Sequence, residues 1–79
     1  MKYDIREVVY PEGDRQEIPH MLTVNQIVDI NGYPARLPFP SIKTIAFRVY
    51  KKTTREERNE TVTSFHLEQL TLSELESLT

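Results

Sequence analysis

The stretch SIKTIAFRVYKK, residues 41–52, decides the fold because apolar and polar side chains alternate along its second half. A period of two is typical of a strand that buries one face and exposes the other. One face holds Ile45, Phe47 and Val49, and the other holds Thr44, Arg48 and Tyr50. We therefore predict a strand in which Ile45, Phe47 and Val49 face the core.

A second alternating stretch, TVTSFHLEQL, follows at residues 61–70. Its two faces hold Thr63, Phe65 and Leu67 on one side and Ser64, His66 and Glu68 on the other. Pairing Phe47 with Phe65 sets Ile45 opposite Leu67 and Val49 opposite Thr63. Apolar residues then meet apolar residues across the two strands. We predict an antiparallel hairpin in this register.

The connection RVYKKTTREERNE, residues 48–60, carries five basic and three acidic residues. Charged side chains keep hairpin tips and sheet edges soluble without any ligand, and we interpret residues 53–59 as such a tip. The face away from Phe47 combines an aromatic ring with hydrogen-bond donors, as interaction surfaces often do. We predict that a binding surface, if present, consists of Arg48, Tyr50, Lys52 and His66.

Shorter elements are expected in the first half of the chain. KYDIREVVY, residues 2–10, predicts a strand that is irregular or bulged, because Val8, Val9 and Tyr10 break the alternation. PEGDRQEIPH, residues 11–20, predicts a loop outside the core. MLTVNQIVDING, residues 21–32, fits a strand better than a helix, although Thr23 and Gln26 imitate a helix capping box.

Residues 31–41 carry turn and proline signals. Asn31 and Gly32 predict a tight hairpin turn. Three prolines confine residues 33–41 to a sheet edge or an extended connection, because proline cannot donate to a sheet ladder. Phe39, between two of these prolines, is expected to anchor the segment on the core.

The segment LTLSELESLT, residues 70–79, predicts a short C-terminal helix. Thr71 and Glu74 form a capping box, and Leu72, Leu75 and Leu78 follow helical spacing. A helix of this length is marginal in water by itself. We therefore expect its leucines to dock on the sheet, although an exposed ridge for a partner is the alternative.

Length and composition bound the class of protein. With 79 residues, residues 1–79 form a single domain with a small core, and a homodimer is an open alternative. The polar start and the absence of cysteine favour a cytoplasmic protein, and no apolar run is long enough to span a membrane. A net charge of -2 argues against nucleic-acid binding through bulk charge.

Chemical motifs are missing from the sequence. The two histidines, without cysteine and without ligand spacing, favour no metal site. The serines lie in no nucleophile elbow, and two glycines cannot form a phosphate-binding loop. We expect no enzyme, no metal and no cofactor.

These observations predict a mainly β protein of the β-rich α+β class. We expect an antiparallel curled sheet or small open barrel of about four or five strands with a short C-terminal helix. The expected function is a small non-catalytic protein-interaction or regulatory module with an unidentified protein partner. The alternative is a nucleic-acid-binding β-barrel that uses the basic hairpin around residues 48–58.

Overall fold

Five strands and one short helix make up the computed structural model, which describes residues 3–79. The elements are β1 (Tyr3–Val9), β2 (Arg15–Ile18), β3 (Ile27–Val28), β4 (Phe47–Glu57), β5 (Glu60–Gln69) and α1 (Leu72–Ser77). The strands form one curled sheet in the order β2-β1-β5-β4-β3, which has the shape of half a barrel. This confirms the predicted β-rich fold with a C-terminal helix. The helix of six residues is too short to cross a membrane, and no other helix is found within residues 3–79.

The sheet is mixed, because β1 pairs with β5 in parallel while the other three pairings are antiparallel. The parallel ladder runs from Tyr3 opposite Glu60 to Val9 opposite His66 without interruption. The predicted irregularity of the first strand is therefore wrong. Val8 is fully buried on one face of β1, and Val9 is partly buried on the other.

The polar segment after β1 contains a strand that we predicted as loop. The Tyr10 amide donates to the Asp14 carbonyl over 2.8 Å, and Gly13 adopts a φ of 99°, so the chain reverses within a tight turn. β2 then runs back along β1. Its first three residues are exposed because β2 is an edge strand, whereas Ile18 belongs to the core. The prediction of a loop is therefore wrong for residues 15–18, which form a polar edge strand.

The register of β4 and β5 differs from the predicted one. Phe47 lies opposite Gln69 instead of Phe65, and Val49 lies opposite Leu67. Up to Val49 the partner of each β4 residue is displaced by four residues, and an even displacement leaves these side chains on their predicted faces. Phe47, Val49, Phe65 and Leu67 are accordingly all buried. Ile45, however, precedes the strand and is 49% exposed, so its predicted burial is wrong.

Two clusters of buried side chains hold the domain together. The main one fills the concave side of the sheet and contains Val8, Ile18, Leu22, Val28, Phe47, Val49, Phe65 and Leu67. The second joins Phe39, Ala46, Leu70 and Leu75. The prediction that Phe39 anchors its segment on the core is therefore confirmed. The capping box of Thr71 and Glu74 is confirmed, and α1 docks through Leu75 while Leu72 stays 58% exposed.

The segment between β2 and β4 is mostly irregular. Asn25 adopts a φ of 78°, which stops any helix, so the predicted strand survives only as the two residues of β3. The turn at Asn31 and Gly32 is confirmed, with a φ of 83° at Gly32. A Cβ at Gly32 would approach the Val8 and Ile18 side chains to 3.3 Å, so close packing also favours glycine. Pro34 bridges to Val28 at the sheet edge, as expected of a proline.

Candidate functional site

Two of the four predicted binding residues lie together. The rings of Tyr50 and His66 are 6.3 Å apart between centroids. Lys52 is not part of this group, because it is the register partner of Phe65 and directly paired residues share a face. The reason is a β-bulge between Val49 and Lys51, which changes the side of the sheet to which each later residue belongs. The prediction that all four residues share one face is therefore wrong.

Arg48 is engaged with the C-terminal helix. Its guanidinium forms an ion pair with Glu74 and lies 3.7 Å from the Glu68 carboxylate. Hydrogen bonds from the Thr71 backbone and from Arg48 lower the pKa of Glu74 below 4.5, its ordinary value. Arg48 thus ties β4 to the capping box of α1. Its charge is largely balanced where it stands.

A polar row crosses β1, β5 and β4 on the convex face. The Ser64 hydroxyl donates to Glu7 Oε2 over 2.6 Å, and the same carboxylate forms an ion pair with Arg15 and lies 4.0 Å from Arg55. Only 12% of the Glu7 side chain is exposed. The Ser64 hydroxyl and the Arg15 guanidinium thus stabilise the negative charge of the Glu7 carboxylate within the protein.

His66 lies in the same row and is bonded to β4. Its Nε2 is 2.9 Å from the Thr53 hydroxyl. Burial, then Lys51 and Arg15, lower the pKa of His66 below 6.5, while Glu7 opposes this shift. The imidazole is therefore held neutral near pH 7. Thr53, interpreted from sequence as part of the solvated tip, is instead a strand residue, because β4 continues to Glu57.

This row contains serine, histidine and glutamate but does not form a catalytic relay. Such a relay needs the serine hydroxyl to donate to the histidine, which a carboxylate orients. Here Ser64 donates directly to Glu7, and His66 contacts Thr53. Ser64 is also only 3% exposed. Within residues 3–79 no group of three or more histidine and acidic side chains is arranged to hold a metal ion.

An open cleft lies elsewhere, between the turn that joins β1 to β2 and the start of β4. Its volume is about 440 Å³. Tyr10, Phe47, Ile30 and Ile45 provide the apolar part of its wall, and the two isoleucines are 56% and 49% exposed. Glu12, Asp14, Arg15, Gln16 and Gln69 provide the polar part. The cleft thus combines accessible hydrocarbon with carboxylates.

Tyr10 positions one side of this cleft. Its ring packs edge-on against Phe47, with centroids 5.4 Å apart, and its hydroxyl donates to the Ile30 carbonyl over 2.8 Å. The second contact joins the strand end to the loop that carries Ile30. Because both ends of the tyrosine are engaged, this wall exists without a ligand.

The electrostatic field at the cleft is negative. Burial raises the pKa of the Tyr10 hydroxyl, and the charges of Asp29 and Glu12 raise it further. Arg15, the one basic residue of the wall, forms its ion pair with Glu7 on the other face. The carboxylates of Glu12 and Asp14 are therefore not balanced by Arg15.

Sequence reasoning missed this cleft. The alternation with Phe47 predicts a buried Ile45, and the polarity of residues 11–20 predicts a loop outside the core. The available signal was the sequence YPEGD, residues 10–14, where an aromatic residue precedes an acidic turn. That signal acquires meaning only when Ile30 and Ile45, distant in sequence, lie beside it.

Comparison with known proteins identifies the family. Residues 6–78 match a family model described as "Uncharacterised Treponema protein", and the chain belongs to that family. No significant match was found among curated proteins or among solved structures.

Proposed function

We propose that this protein is a small non-catalytic interaction module whose cleft binds a segment of a partner protein. The segment presents one apolar side chain flanked by lysine or arginine. The observation that carries the proposal is the pair of half-exposed isoleucines, Ile30 and Ile45, beside the carboxylates of Glu12 and Asp14. Apolar anchors give affinity and charges select the partner.

Hydrocarbon contact provides the attraction. Ile30 and Ile45 lose water when an aliphatic side chain enters, and each buried methylene contributes about 0.8 kcal/mol. The wall formed by Tyr10 and Phe47 is already ordered by the contact between their rings, so little conformational entropy is lost on binding. A preformed apolar wall of this kind is common in ligand sites.

Charge selects the flanking residues. Glu12 and Asp14 favour a cationic neighbour of the anchor and disfavour an acidic one. The same field disfavours phosphate groups at the cleft. At the hairpin, Arg48 and Arg55 form ion pairs with glutamates, which reduces the charge available to nucleic acid. Tyr50 and His66 remain predicted binding residues of a separate surface.

Peptide titration tests the proposal. The probes are fluorescent pentapeptides of sequence KKLKK, KKGKK and EELEE, with blocked ends. We expect KKLKK to bind most tightly and to shift the amide NMR signals of Ile30 and Ile45. Replacing Glu12 and Asp14 by Gln and Asn should reduce its preference over EELEE. Ile42→Ala is the control for a change outside the cleft and should leave peptide binding unaltered, because Ile42 is 44% exposed and does not line the cleft.

Equal affinity for the three peptides, or signal changes away from the cleft, would contradict the proposal. Gel mobility shifts with random DNA and RNA at two salt concentrations test the alternative function. Binding that weakens steeply with salt would favour a nucleic-acid partner instead.

A further inference from the structure

The outer edge of β4 carries a second, independent feature. β3 pairs only with Phe47 and Arg48, and the loop before it bonds to β4 only at Val49. Within residues 3–79, the ladder of Lys51–Glu57 is thus formed on one side alone, by β5. Seven residues of regular strand therefore present an edge to which another strand can be added.

The sequence of this edge, KKTTREE, is complementary to itself when reversed. Two lysines begin it, two glutamates end it, and the threonines lie near the middle. In an antiparallel pair of identical strands, the basic end of each copy meets the acidic end of the other. Opposite charges directly across a strand pair stabilise it, and like charges destabilise it.

Symmetry restricts the registers. A two-fold axis perpendicular to the sheet keeps each side chain on its own face. Directly opposed residues share a face, so the axis must pass through a residue that lies opposite its own copy. Centring on Thr53 would place Lys51 opposite Arg55, and centring on Arg55 would place that arginine opposite itself. Both registers oppose like charges.

Centring on Thr54 pairs Lys51 with Glu57, Lys52 with Glu56, and Thr53 with Arg55. Each pair occurs twice by symmetry, so the register forms four lysine–glutamate pairs, distributed over both faces of the joined sheet. Glu56 and Glu57 also keep their contacts within the chain, to Thr61 and Arg55 respectively. No like charges lie opposite one another between residues 51 and 57.

We propose that two copies of this chain form a homodimer by antiparallel pairing of the Lys51–Glu57 edges, with Thr54 on the two-fold axis. The partner is a second copy because the edge complements its own sequence. Charges of one sign along an edge would repel a second copy, whereas this edge carries both signs in an order that attracts one. The joined sheet has ten strands.

Sedimentation velocity of the chain and two charge variants tests the dimer. We expect the wild type to dimerise with concentration and to dissociate as salt rises. Lys51→Glu with Lys52→Glu, and separately Glu56→Lys with Glu57→Lys, should each raise the dissociation constant about tenfold or more, because four favourable pairs become repulsive.

Complementation makes the test independent of folding defects. An equimolar mixture of the two variants should form a heterodimer in which all four Lys–Glu pairs are restored, two with the original polarity and two with reversed polarity. The chain carrying all four substitutions should again form a homodimer. Arg36→Glu with Lys43→Glu, at exposed positions outside the edge, is the control with the same charge change as the lysine variant, and it should dimerise as the wild type does.

A wild type that stays monomeric at about 1 mM, the range of very weak association, would overturn the proposal. So would charge variants that dimerise as tightly as the wild type, or a mixture that yields no heterodimer.

Discussion

Ser64 and Glu7, 57 positions apart in the chain, are joined by a hydrogen bond of 2.6 Å across the parallel ladder of β1 and β5. The bond is formed by a buried hydroxyl and a largely buried carboxylate that also forms an ion pair with Arg15. It links the beginning of the domain to its longest hairpin. The convex face is therefore held by polar contacts where the concave face is held by apolar ones.

Ser64→Ala should lower the free energy of unfolding by about 1–3 kcal/mol, because a hydrogen bond to a charged group is lost in a buried position. For a domain of this size, the melting temperature should fall by about 4–8 °C per kcal/mol. Ser73→Ala, on the exposed side of α1, is the control and should change little. Equal melting temperatures for the two variants would contradict the structural role of the hydrogen bond from Ser64.

Phe65→Ala should cost about 3–5 kcal/mol, since Phe65 is fully buried in the main cluster. Urea titration measures the loss. NMR contacts between the Hα atoms of opposed residues check the register separately. They should connect β4 and β5 at the pairing of Val49 with Leu67, and contacts between the Phe47 and Phe65 backbones would support the register that we reject.

Leu75→Ala should destabilise the domain by about 2 kcal/mol or more, whereas Leu72→Ala should cost less than about 0.5 kcal/mol. The two leucines share a helix but differ in exposure, at 7% and 58%. Deleting residues 71–79 should expose Phe39 and Leu70. If the two point variants melted together, or the deletion melted like the wild type, docking of α1 through Leu75 would be wrong.

His66 should make stability depend on pH. Its pKa in the folded chain lies below the ordinary 6.5, so the unfolded chain takes up a proton first as pH falls. Stability is then complete above 6.5 and declines as pH drops through 6.5 toward the lower folded pKa. His66→Gln should flatten the unfolding free energy between about pH 7 and 5.

The cause of this shift is testable by NMR titration of the imidazole. Lys51→Gln should move the pKa of His66 upward, because it removes a neighbouring positive charge. An imidazole that titrates at 6.5 or higher in the wild type would contradict the assignment.

Local patterns in the sequence predicted several elements. The alternation around Phe47 and Phe65 identified both strands of the hairpin and the faces that they bury. The capping box of Thr71 predicted α1, and Asn31-Gly32 predicted a turn. Each of these signals acts within a few residues, so neighbouring side chains and the backbone suffice to determine it.

The tertiary structure alone decided which registers and edges were used. Alternation has a period of two, so registers displaced by an even number of residues bury the same faces, and the pattern could not distinguish Phe65 from Gln69 as the partner of Phe47. The bulge at Tyr50 shifts the register by one residue, an odd displacement, and so places Lys52 and His66 on opposite faces. The parallel pairing of β1 with β5, the strand hidden in residues 15–18, and the cleft beside Ile45 all depend on contacts between distant segments. Such contacts are selected by the packing of the whole chain, which no local pattern encodes.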